Sequence, residues 1–369
     1  MSSPQPFRFG VQATRAASGQ EWFDLARRVE DLGYSTLFLT DHYLGRGPAA
    51  RECNLPAQHF APISAMAAAA AVTTTLRIGC RVFAVDFHMP VALAKEIATI
   101  DVLSGGRVEL GIGAGGQGPE YRALGLDFKP GKERVDKLEE VVALIKAHWS
   151  GEPIDQHGEH VDLTVEPPRV RTVSGGPPLF YFGGLSEHAR EVAAAAADVY
   201  LMWPDTMPAV AATVEDLRAR AERHGRRLRF GYRVHVIVRE TESDARAAAA
   251  RLVSRLDDEE GRRIRERSLD SASAGVRRQA ELREAAGDEG YVEDHLWTGV
   301  GRARSGCGAA IVGDPDQVLA KLLAYRDLGI DTFILSGYPH REECELFSRY
   351  VLPHLDHAPL RFPNGAPAA

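Results

Sequence analysis

Arg233 and His235 stand two residues apart in the apolar run 230–238. Side chains of an extended strand alternate between faces, so these two share one face while Tyr232, Val234 and Val236 take the other. A guanidinium binds anions through permanently charged donors, and an imidazole can pass a proton near neutral pH. The pair therefore suggests anion binding coupled to proton transfer. The structural alternative pairs Arg233 with a buried carboxylate and leaves His235 as a satisfied core histidine. Other candidates end further apolar runs. In Phe182-Gly183-Gly184-Leu185-Ser186, two glycines would let backbone approach a ligand, Ser186 can cap the following helix, and that helix start offers N–H groups to a phosphate. Trp203 and Tyr338 each close a run and could pack or form an aromatic wall. Thr40-Asp41-His42-Tyr43, Ala84, and Gly113-Ala114-Gly115-Gly116 do likewise. Around one pocket, these groups would hold a phosphorylated planar cofactor beside an anionic substrate. The cofactor-binding candidates are Gly183, Gly184, Ser186, Trp203, His42, Ala84, Gly113 and Gly115.

Bringing such run ends together requires a scaffold that aligns them. Strand-like runs occur at 7–12, 35–40, 77–85, 107–113, 179–182, 199–203, 229–238 and 332–336, and helix-patterned segments separate most of them. The segment 20–32 places Phe23, Leu25, Ala26, Val29 and Leu32 at helical spacing before Gly33. Alternation of this kind implies a parallel sheet, and eight units close a (β/α)8 barrel of the α/β class, whose sites form at the C-terminal ends of the strands. The expectation is one barrel domain over 1–369, with insertions near 43–60, 150–178 and 252–308. The second includes alternating segments that suggest a hairpin. The third begins as a charged, solvated helix and ends in a Gly-rich stretch, 296–308. Trp297, Arg302 and Arg304 there are suited to closing over an anion.

Composition narrows the function classes. The 369 residues are 44% hydrophobic with a net charge of -7, which argues for a sizeable core and against general affinity for nucleic acid or acidic membranes. Cys53, Cys80, Cys307 and Cys344 have no paired spacing, so neither a disulfide framework nor a metal site is expected, and a reducing cytoplasm fits best. No apolar run reaches the length of a membrane span.

The run YFGGLSEHA at 181–189, DVYLMW, RFGYRVHVIVRETESDA, LWTGVGRARSGCG, VGDPDQV and LGIDTFILSGYPHREE together resemble the flavin-dependent two-component alkanesulfonate monooxygenases of the bacterial luciferase-like superfamily. The resemblance implies a (β/α)8 fold, reduced FMN delivered by a separate NAD(P)H:flavin reductase, molecular oxygen, and C–S cleavage of a sulfonate to an aldehyde and sulfite. Carried over by motif, His235, Arg233, Tyr338 and Arg304 fall on catalytic and substrate positions, and Trp203 on an active-site tryptophan. It also implies a homodimer or homotetramer. The N-terminal half, in TDHY, RIGCRVFAVDFHMPVALAKEIATIDVLSGGRVELGIGAG and EYRALG, is more similar to deazaflavin-dependent oxidoreductases of the same superfamily. The alternative is therefore hydride transfer with an 8-hydroxy-5-deazaflavin. Where the alkanesulfonate enzymes carry a Cys-Glu-Asp context, this chain has Gln58-His59-Phe60-Ala61.

Overall fold

Each apolar run bounded by turn residues forms a strand. The computed structural model describes residues 6–13, 16–45, 47–53, 57–170, 172–173, 176–254, 259, 263, 273–303 and 306–358. In chain order the strands are β1 (Arg8–Gln12), β2 (Thr36–Leu39), β3 (Arg77–Ala84), β4 (Val108–Gly113), β5 (Ile154–His157), β6 (Asp162–Val165), β7 (Leu179–Phe182), β8 (Val199–Met202), β9 (Arg229–Val238), β10 (Tyr291–Glu293), β11 (Leu296–Trp297), β12 (Ala310–Gly313) and β13 (Ile330–Ser336). Parallel pairing runs β1-β2-β3-β4-β7-β8-β9-β13 and returns to β1, so eight strands close a barrel. The strands β5 and β6 form the hairpin expected in the second insertion.

Helices pack around this cylinder because local signals start and stop them. Ser18 caps Gly19–Asp31 by accepting from Glu21 N at 3.1 Å. Gly105, at φ 69°, ends Pro90–Ser104 in the left-handed region, where a glycine has no Cβ penalty. Asp314 and Gln317 form a reciprocal capping box at the start of Pro315–Asp327. The outward faces of the strands bury large side chains such as Phe9, Ile78, Leu110, Tyr232 and Phe333 against these helices, at about 1.5–3 kcal/mol for each such side chain. No helix among the described residues is long and apolar enough to cross a membrane.

Three short strands, β10, β11 and β12, escaped the sequence reading. The ten-residue β9 outruns the barrel, and its last four residues pair with β12, from Ala310 opposite His235 to Gly313 opposite Val238. The strand β12 pairs with β11, and β11 with β10, both antiparallel. Trp297, expected on a closing loop, is instead buried beside Ile237, Ala245 and Val312, with its indole N–H donated to Glu289 O at 3.2 Å. An indole is large and apolar, and this small added sheet needed a core of its own.

Contacts between strands that are not neighbours must cross the lumen, and they sort its lining into levels. At the N-terminal end, Arg8 Nη1 reaches across from β1 to the Tyr181 hydroxyl on β7 at 2.6 Å. Arg8 also bonds Glu109, and Arg77 Nε reaches the same carboxylate oxygen at 2.7 Å, with the Thr36 hydroxyl at 3.1 Å. Burial alone would raise the Glu109 pKa, but Arg8 and then Arg77 hold it below the usual carboxylate range. Above this plug, Phe38 meets Tyr181 edge-on at 5.6 Å among Val199, Leu201 and Ile334. Glycines make room for it: a Cβ at Gly10 would lie 2.7 Å from the Phe38 ring, and one at Gly79 2.8 Å.

Candidate active site

The C-terminal level of the lumen begins with Gln12, the last residue of β1. Its Oε1 accepts from Arg233 Nε at 2.9 Å and also from Arg81 of β3. Arg233 Nη2 donates to Ser336 Oγ at 2.7 Å and Nη1 to Val234 O at 3.0 Å. The acceptors in these bonds are neutral. Ser336, at the end of β13, lies 2.8 Å from His235 Nδ1, and His235 and Arg233 are each 1% exposed. Tyr338 stacks on the His235 ring at 5.4 Å and 28°. Behind them, Cys307 Sγ donates to Arg233 O at 3.2 Å.

Arginine only donates, so Ser336 Oγ accepts from Arg233, and with one hydrogen and a second lone pair it can either donate to or accept from His235 Nδ1. Alternation along β9 thus delivers both side chains to the lumen, while Tyr232 points outward and hydrogen-bonds Tyr325 at 2.9 Å.

Trp203 follows β8 and is half-buried. A helix, Ala274–Ala285, packs on it: a Cβ at Gly275 would lie 3.0 Å from the Trp203 ring, and one at Gly306 3.5 Å. Arg278 clamps Asp205 with two bonds of 2.7 Å. Gln279 donates to Pro204 O at 2.7 Å and accepts from Gly308 N at 3.1 Å, so one buried amide ties the loop after β8 to the segment before β12. Arg302 sits half-buried on that segment. Arg304 lies outside the described residues.

On the other wall, His42 Nδ1 is 2.8 Å from Glu120 Oε2, while Glu120 Oε1 accepts from Tyr43 N at 2.8 Å. Asp41 Oδ2 accepts from Ala84 N at 3.0 Å and lies 2.8 Å from His88 Nε2, which stitches the ends of β2 and β3 together. Burial, and then Asp41, push the Tyr43 hydroxyl above its ordinary pKa. Gln58 bonds both the hydroxyl and the carbonyl of Thr40, and also Phe60 O at 3.0 Å. That position therefore pins a loop.

The glycine candidates have reasons within the fold. A Cβ at Gly113 would meet Val82 at 2.7 Å, and one at Gly115, where φ is 71°, would meet the Tyr121 hydroxyl at 1.8 Å. At Gly183 it would strike Leu201 O at 2.0 Å, and at Gly184 the Ala189 Cβ at 2.7 Å. Close protein packing accounts for all four, whatever ligand approaches them. Ser186 caps Glu187–Ala196 by accepting from Ala189 N at 3.2 Å, in a turn exposed at Gly183 and Ser186. The first-turn N–H groups of a helix have no partner within it and suit a phosphate. Together with the half-buried Trp203 and Tyr338, this donor set fits a phosphorylated planar ring.

The sequence reading missed Gln12, Arg81, Ser336, Glu120 and Gln279 as site-building residues. Arg81 and Gln12 carried a readable signal. Arg8, Gly10 and Gln12, like Arg77, Gly79 and Arg81, alternate along their strands as Arg233 and His235 do.

A parallel eight-stranded barrel with a polar constellation at the C-terminal ends of its strands has the architecture of a (β/α)8 enzyme. Residues 4–332 match the luciferase-like monooxygenase family, and the chain belongs to it. It is 52% identical over 313 residues to a sulfoquinovose monooxygenase of Novosphingobium aromaticivorans, covering 83% of this chain and 85% of that protein. A sulfoquinovose monooxygenase of Agrobacterium fabrum is 46% identical over 292 residues, covering 76% and 72%. The crystal structure of a riboflavin lyase with modified FMN and riboflavin superposes with a TM-score of 0.77 at 18% identity, covering 95% of this chain and 91% of that one. This last likeness is one of fold. The protein is an enzyme of the flavin-dependent monooxygenase class.

Proposed function

We propose that the enzyme uses reduced FMN from a separate NAD(P)H:flavin reductase, together with molecular oxygen, to cleave the C–S bond of a small organic sulfonate, releasing an aldehyde and sulfite. The observation that carries this reading is the Arg233–Ser336–His235 chain at the lumen mouth with Tyr338 stacked upon it. The relatives' names put sulfoquinovose, a sulfonated sugar, first among substrates.

Reduced flavin, when bound, would supply the electrons for oxygen activation. Ser186 and the helix start behind it would hold its phosphate, and Trp203, His42 and the ends of β3 and β4 would border its ring. Arg233 binds and orients the sulfonate through a planar, permanently charged head. His235 passes a proton to an oxygen that gains charge as the C–S bond breaks, and the Ser336 hydroxyl orients its ring. Tyr338 keeps the imidazole plane and can donate its own hydroxyl to the developing oxyanion. Arg302, on the segment that Gln279 ties to the loop after β8, would help to keep water out.

The test is sulfite release with a flavin reductase across sulfoquinovose and linear alkanesulfonates. Release with reduced FMN and oxygen supports the proposal. Retention of oxidised 8-hydroxy-5-deazaflavin alone, with no sulfite from any substrate, would favour the hydride-transfer alternative.

A further inference from the structure

We propose that the helix Ala274–Ala285 is a bracket that holds the Arg302 segment at a fixed spacing from Trp203, with Gln279 as its positioning residue. The inference rests on the sulfonate reading above and extends it to a helix of the third insertion. Its basis is a stripe of side chains. Gly275, Gln279 and Arg283 follow one another at four-residue spacing, so they lie along one face of the helix. Gly275 meets the Trp203 ring, where a Cβ would lie 3.0 Å away. Gln279, 8% exposed, donates to Pro204 O and accepts from Gly308 N. Arg283 Nη1 donates to Gly301 O at 3.0 Å. The stripe therefore starts on the tryptophan and ends on the segment.

Both sides of the bracket are anchored in turn. Asp205, gripped by Arg278, donates its N–H to the Tyr232 hydroxyl of β9 at 3.1 Å. On the other side, Gly301 N donates to Gly308 O at 2.8 Å, and a Cβ at Gly308 would come 3.1 Å from Gly301 Cα. Two glycine backbones thus close the base of the turn that carries Arg302. Cys307 fastens the same base to Arg233 O. Gln279 bonds both sides at once, and an amide suits this place because it offers a donor and an acceptor on one rigid head. A carboxylate or an apolar side chain of similar size supplies at most one of the two. The consequence falls on water exclusion. With the segment slack, reduced FMN and oxygen end as oxidised FMN and hydrogen peroxide, and no sulfite is released.

Two variants test this. Gln279→Leu keeps the volume and removes both bonds; Gln279→Glu keeps the acceptor for Gly308 N and removes the donor to Pro204 O. In single turnovers with sulfoquinovose and with enzyme in excess over reduced FMN, sulfite per oxygen consumed should fall about threefold to tenfold in both, with peroxide making up the difference. Hydrogen–deuterium exchange in Gln279→Leu should rise at 203–207 and 299–303 together while β1 to β4 keep their protection. An unchanged sulfite yield in folded Gln279→Leu would overturn the proposal. So would a loss in Gln279→Leu with none in Gln279→Glu, which would put the whole effect on Gly308. Exchange raised throughout the barrel would make Gln279 a general stabilising residue and overturn it too. If the wild type releases sulfite from no sulfonate, the reading of function fails separately. Exchange then decides the bracket: a joint rise in the two segments supports it, and a rise in one or neither overturns it.

Discussion

At the closed end of the lumen a glutamate lies between two arginines, and at the open end a glutamine does. Glu109 is fully buried and held ionised by Arg8 and Arg77. Gln12 is equally enclosed, yet it shares one neutral oxygen between Arg81 and Arg233. Unit charges about 4 Å apart at a protein-like effective dielectric interact by roughly 4 kcal/mol, so a carboxylate in the middle position neutralises the arginines beside it as an amide oxygen does not. The exchange of carboxylate for amide changes the charge at the centre of the cluster while keeping one acceptor for both arginines. Phe38, with the glycines beneath it, keeps the two apart.

This contrast can be broken most forcefully at the plug. Glu109→Gln leaves two guanidiniums facing each other and should lower unfolding free energy by about 3–5 kcal/mol, read by urea denaturation, while sulfite release by the folded fraction persists. The Glu109 pKa is depressed in the folded state. Its stabilisation is therefore present above the unfolded value near 4.3 and lost as pH falls through the folded one. The variant should lack that acid-side dependence.

At the mouth, the opposite pattern is expected. His235→Ala should cut turnover by about a hundredfold or more with FMN titration and thermal midpoint close to wild type; a large loss of stability with activity retained would reverse the assignment of the two ends. Arg233→Lys keeps the charge but loses the planar fork. It should raise KM for the sulfonate by roughly tenfold, and no change would remove Arg233 from the anion seat.

His148 provides the smallest effect and a control remote from both clusters. It is 2% exposed, and neither ring nitrogen has a hydrogen-bond partner among the described residues. Burial first, then Lys95, lower its pKa. Stability is therefore kept above the unfolded value near 6.5 and falls as pH drops below it toward the folded one. His148→Leu should narrow the difference in thermal midpoint between pH 7 and pH 5; an unchanged difference would show that another group sets it.

Much of the barrel was legible because its signals are local. Apolar runs separated by helix-patterned segments identified the eight barrel strands, period-two alternation put Arg233 and His235 on one face, and capping residues such as Ser186 marked helix starts. The strand β12 was missed because its four residues, Ala310–Gly313, are a strand only by pairing with the overrun of β9. Trp297 was assigned to a lid because nothing near it in sequence indicates Ile237 and Ala245 as neighbours. The glycines at 113, 115, 183 and 184, expected beside a cofactor, also make room for Val82, Tyr121, Leu201 and Ala189, a requirement that no sequence neighbour announces.

The sequence by itself determined the order of strands and helices, the face each strand residue takes, and the motifs of the luciferase-like family, since all of these follow from neighbours along the chain. Only the tertiary structure decided that Gln12, Arg81, Arg233, Ser336 and His235 meet. They come from four strands separated by tens to hundreds of residues, and closure of the sheet alone sets which lumen-facing side chains share a level. The charge at the centre of each arginine pair depends on the group that closure places between them.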